Sequence, residues 1–84
     1  MSIKQLTIDQ IRIAVTEKEI ETVIENTLEK VKRKNVNGHF VRNYMSTMTT
    51  LLLNLKREPL DYTVKDNVNK AIEIYRKLNR SITS

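Results

Sequence analysis

Apolar residues recur at helical spacing in three long blocks, and the breaks between blocks fall at the chain's one glycine and one proline. The first block opens at Thr16, with Glu19 three residues later. This is a capping box: the hydroxyl takes one of the amides that a helix start leaves unsatisfied, and the carboxylate takes another. Ile20, Val23, Ile24, Leu28 and Val31 then share one face, predicting a helix over 17–34. Its first turn is acidic and its last turn basic, which suits the backbone dipole at both ends. Asn35, Val36, Asn37 and Gly38 read as a turn, in which glycine or asparagine can take the left-handed conformation that ends a helix.

The second block predicts a helix over 39–57. Phe40, Val41, Tyr44, Met45, Met48, Leu51, Leu52 and Leu55 occupy an arc of roughly 140° at 100° per residue, wide enough for a central helix between two neighbours. Pro59 disfavours the helical conformation at Glu58 and stops it. Thr63 with Asp66 makes a weaker capping box, opening a helix over 64–80 whose core face is Val64, Val68, Ala71, Ile72, Tyr75 and Leu78. Near the N-terminus, Thr7 with Gln10 caps a short helix over 8–14, although Ile11, Ile13 and Val15 alternate as a strand would. Helix is preferred there, because one strand would find no partner elsewhere in the chain.

Short connections make successive helices antiparallel neighbours. The expected fold is all-α: a small antiparallel three-helix bundle with a short N-terminal helix packed across it, four helices in total, in one domain over 1–84. With 39% hydrophobic and 30% charged residues the chain has the composition of a folding domain and not of a disordered one. The longest pure apolar run, Leu51–Leu53, is far below the roughly 20 residues that span a bilayer. The first residues lack the apolar block of a signal peptide, and there is no cysteine, so a cytoplasmic protein without disulfides is expected. The bias toward Lys, Ile, Asn and Thr suits an AT-rich genome, where short cysteine-free helical chains of the phage or mobile-element accessory type are common.

Charge sharpens the picture. Residues 1–29 hold three cations (Lys4, Arg12, Lys18) against six acids, a net −3, which leaves +8 for residues 30–84 of the total +5. An antiparallel bundle gathers Lys30, Lys32, Arg33, Lys34, Arg42, Arg76, Lys77 and Arg80 at one pole, with His39 on the connecting turn. Such a pole could contact several phosphates of RNA or DNA without reading sequence, or simply match two helix C-termini. A sequence-specific reader is disfavoured: the only helix-turn-helix arrangement would present Glu17, Glu19 and Glu21 to phosphate, and no aromatic run offers a stacking platform.

Two further surfaces stand out. Glu17, Glu21, Glu25 and Glu29 form a ladder of like charges at four-residue spacing, in which Glu29 has cations at the right offset in Lys32 and Arg33. Glu17 and Glu21 lie near the apolar face, where cations of a neighbouring helix could pair with them. The outward face of helix 39–57 carries Asn43, Ser46, Thr47, Thr49, Thr50 and Asn54 around Leu53. Helices that face only water usually carry charge there. This face is either covered by the N-terminal segment or is a surface for a partner protein or a second copy of the chain.

Catalysis has no support. His39 is the sole histidine and no cysteine is present, so neither a nucleophile with a histidine base nor a histidine-rich metal site can be assembled, and there is no glycine-rich phosphate loop. No cofactor, metal or small-molecule substrate is expected. The sequence points to a non-enzymatic regulatory or inhibitory protein that binds another protein, with nucleic-acid binding as the alternative.

Overall fold

The computed structural model describes residues 2–34 and 38–83, with side chains to Ser81. They form four helices: α1 (Ile3–Ile13), α2 (Glu17–Lys34), α3 (Gly38–Lys56) and α4 (Tyr62–Thr83). The expected all-α bundle is what the chain builds. None of these helices is long and apolar enough to cross a membrane.

Several helix boundaries have a local cause. At α2 the Glu19 amide donates to Thr16 Oγ1 (3.2 Å), while the Glu19 carboxylate accepts from the Val15 amide (2.9 Å). α3 tightens at its end, with Arg57 N–H donating to Asn54 O and Glu58 N–H to Leu55 O, before Pro59 stops it. α4 begins earlier than Thr63: the Asp61 carbonyl accepts the first helical bond from Lys65 (2.9 Å), so Thr63 lies inside the first turn. Asp66, expected to complete a second capping box, pairs with Lys70 at 3.1 Å. The proposed turn at 35–37 lies outside the described residues. Gly38 opens α3 without a left-handed backbone, so of the glycine and asparagines able to end α2 in that conformation Gly38 does not take it.

The N-terminal helix needs the largest correction. It starts at Ile3, five residues before the expected 8, because Ser2 and not Thr7 caps it: Ser2 Oγ accepts from the Gln5 amide at 3.2 Å. Thr7 is buried within α1, its hydroxyl 2.7 Å from the Ile3 carbonyl and 3.3 Å from Thr27 Oγ1. The strand alternative fails because Ile11 enters the core while Ile13 and Val15 stay at the surface, at the end of a helix and in the turn beyond it.

α4, and not α3, is the central element, packing against each of the other three helices while α2 and α3 scarcely meet. The hairpin of α3 and α4 is antiparallel in register: Tyr44 lies twelve residues before the end of α3, and its close neighbour Tyr75 lies thirteen after the start of α4. Met45, Met48 and Leu52 meet Val68, Ala71, Ile72 and Tyr75 in the core, with Ile20, Ile24, Leu28 and Ile11 closing the other side. Phe40, expected in the core, is 48% exposed. It stands at the edge of an arc drawn for two large neighbours, and α3 has only one.

α1 is held by Asn67. This buried side chain on α4 donates its amide to Ala14 O (2.9 Å) and Ile11 O (3.2 Å), carbonyls that the end of α1 leaves underused. Replacing Asn67 by Ala removes both bonds, leaving the Ala14 carbonyl without this partner while Ile11 keeps the Ala14 amide, and should cost about 1–3 kcal/mol. Chemical denaturation would measure this, and hydrogen exchange should show protection lost first over 3–14, ahead of α3 and α4.

Candidate interaction surfaces

The outward face of α3 stays open. Asn43, Ser46, Thr50, Leu53 and Asn54 are exposed, and Thr47 and Thr49 are half-buried. α1 approaches only its edge, where Gln5, Ile8 and Arg12 border a cleft of about 330 Å³ with Leu51, Asn54, Leu55 and Glu58. Thr49 and Thr50 donate their hydroxyls to the carbonyls of Met45 and Ser46, at 3.0 and 3.1 Å. A threonine bonded back to its own helix has spent its donor, so the face is less polar than its composition suggests.

The cationic residues expected at one pole lie on the last turns of α2, the first turns of α3 and the last turns of α4. With α3 and α4 antiparallel and α2 leading into α3, these turns converge at one end of a body 37 Å long and 23 Å across. Lys30, Lys32, Arg33, Lys34, His39, Arg76, Lys77 and Arg80 are exposed, and Arg42 is half-buried. Glu29 is paired with Arg33 (2.7 Å), one of the two cations foreseen for it. At the same end Arg42 Nε and Asn79 Oδ1 are shielded from water without a hydrogen-bond partner.

The rest of the acidic ladder is exposed, and among the described residues neither Glu17 nor Glu21 closes an ion pair with a neighbouring helix. Glu17 acts at longer range on Lys70, whose ammonium is held in its charged form chiefly by the hydrogen bond and charge of Asp66.

Two features were not foreseen. Ile3, Leu6, Ile13 and Val15 leave 37, 47, 78 and 83% of their surfaces to solvent, so α1 presents an apolar edge beside α2. The signal was present in the spacing of Ile3, Leu6 and Ile13, which is helical but offset from the core face of Ile8 and Ile11. Inside the bundle, the hydroxyls of Thr7, Tyr44 and Tyr75 gather among apolar side chains. Neither phenol oxygen completes a hydrogen bond of good geometry. Burial raises both phenols, offset at Tyr44 by the nearby hydroxyls of Thr7 and Tyr75 and reinforced at Tyr75 by the Tyr44 phenolate.

Comparison with known protein families, with curated proteins and with solved structures finds no match to this chain.

A phenol raised in the folded state contributes its full share of stability below its unfolded value near 10 and loses it as pH rises beyond that value, because the unfolded chain then releases the proton first. Stability should therefore fall above about pH 10. Tyr75→Phe should flatten this decline. Urea unfolding followed by circular dichroism from neutral to strongly alkaline pH measures both.

Proposed function

We propose that this chain is a non-catalytic interaction protein that regulates or inhibits a partner protein by binding it through the outward face of α3. The observation that carries the reading is that this face remains uncovered by the chain's own helices while lacking charge at its centre. A solvated helix face gains nothing from such a composition, whereas the middle of a protein interface is depleted of charge and surrounded by polar groups that can be satisfied on binding. Leu53, 37% exposed, supplies the apolar centre, and the back-bonded Thr49 and Thr50 flank it without donors that a partner would have to satisfy. Asn43 and Asn54 supply the polar rim, and Arg57 follows at the C-terminal end of the helix. The absence of cysteine suits a cytosolic setting.

A second reading rests on the cationic pole. Eight lysines and arginines lie on the turns of three helices that meet there, and Glu29 beside them is already paired to Arg33. That surface suits sequence-independent contact with the phosphates of RNA or DNA.

Salt and nuclease separate the readings. A tagged chain recovered from its native host, in nuclease-treated and untreated halves, should bring down the same defined protein in both. Leu53→Lys with Thr50→Lys should reduce that recovery about tenfold or more, by placing two unpaired ammonium groups in the contact. Retention of the protein by the double variant overturns the α3 reading. Binding to unrelated oligonucleotides that falls by about 10³-fold or more between 50 and 200 mM salt, and that weakens on Lys32→Glu with Arg76→Glu, would establish the second.

A further inference from the structure

We propose that the groove between α1 and α2 is the contact surface of a two-fold dimer, in which a second copy of this chain lies antiparallel to the first. Two clefts of about 480 and 320 Å³ adjoin along these helices and share Gln10 and Val23, so that one groove runs the length of α1. At 1.5 Å per residue that is on the order of 16 Å. Its α1 wall carries Ile3, Leu6, Gln10 and Ile13, spaced by three, four and three residues, the apolar-seam spacing by which helices pack on one another. Its α2 wall carries Glu19, Val23, Asn26 and Lys30, spaced by four, three and four.

Both spacings read the same in either direction, and their centres lie at one level. Thr7 meets Thr27 across the groove floor, and Gln10 and Val23 line the same stretch of it, which puts the middle of the α1 series opposite the middle of the α2 series. A dyad through that level sets Ile3 against the partner's Ile13, Leu6 against the partner's Gln10 and Val23 against the partner's Asn26. It also sets Glu19 against the partner's Lys30, twice, with opposite charges exchanged by the symmetry itself.

An apolar edge would accept many amphipathic helices. The exchange of opposite charge under the dyad selects a second copy, since an isologous interface must be complementary to itself. About ten residues a side is well under the 20–30 of a standard interface, so the dimer is weak and concentration-dependent. The α3 face shares no residue with the groove, so the dimer carries two copies of it and can hold a repetitive target bivalently.

Sedimentation velocity on the full chain, from low micromolar to millimolar concentration, tests this. Wild type should pass from monomer to dimer, and Leu53→Lys should behave identically. Ile13→Lys, at a position too exposed to matter for folding, should weaken association about tenfold or more. Glu19→Lys and Lys30→Glu should each weaken it, and an equimolar mixture of the two should recover it as a heterodimer, because both contacts then join opposite charges, one with its sign reversed and one as in wild type. Glu19→Lys also removes a helix cap, so its helicity is checked by circular dichroism; Ile13→Lys and Lys30→Glu decide the matter if it fails to fold. A wild type monomeric at millimolar concentration overturns the proposal. So does an Ile13→Lys chain that associates normally, a Leu53→Lys chain that does not, or a mixture no stronger than its components.

Discussion

The bond from Asn67 to the end of α1 is the contact on which the arrangement turns. α1 is only eleven residues long and would be marginal by itself in water. It is tied down by one amide group reaching across more than fifty residues to the Ala14 carbonyl and to the Ile11 carbonyl, which also accepts from the Ala14 amide. That anchor presses Ile8 and Ile11 into the core and brings Thr7 against Thr27. It also sets the edge of Ile3, Leu6 and Ile13 beside α2. Without it α4 would still pack on α2 and α3, but the groove would have one wall.

The core is less uniform than its apolar list suggests. Thr7 and Thr27 satisfy themselves locally, each hydroxyl lying within hydrogen-bond distance of a carbonyl four residues earlier. The two phenols beside them are not satisfied so well, and burial keeps both protonated. Poorly satisfied polar groups cost stability, while their few allowed positions disfavour alternative packings of four similar amphipathic helices. In a small core of interchangeable aliphatic side chains, such groups distinguish one alignment of the helices from its neighbours.

Much of this was legible in the residues, and the exceptions have physical causes. Thr16 with Glu19 marked the start of α2 because a capping box acts over four residues and needs nothing distant. The cationic pole followed from topology, since it requires only that short connections reverse the chain. Phe40 was misplaced because the width of an apolar arc does not say which neighbour will cover it. α1 was begun too late because Thr7 and Ser2 are chemically similar, and only burial reveals that Thr7 belongs to the core. Asn67 shares a stripe with Ala71, Ile74 and Leu78, so a polar residue on an apolar face was there to be noticed; that its partners would be Ile11 and Ala14 was not.

The packing of the two internal methionines has a chemical consequence. Met45 and Met48 present no surface to solvent, and the chain has neither cysteine nor tryptophan. Beyond Met1, the folded protein therefore shows peroxide no sulfur to attack. Sulfoxide at Met45 or Met48 forms only when the α3–α4 hairpin opens, and it then puts a polar group where the bundle must close again. Oxidation thus becomes a ratchet: each exposure that meets an oxidant is recorded covalently, and the record itself resists refolding.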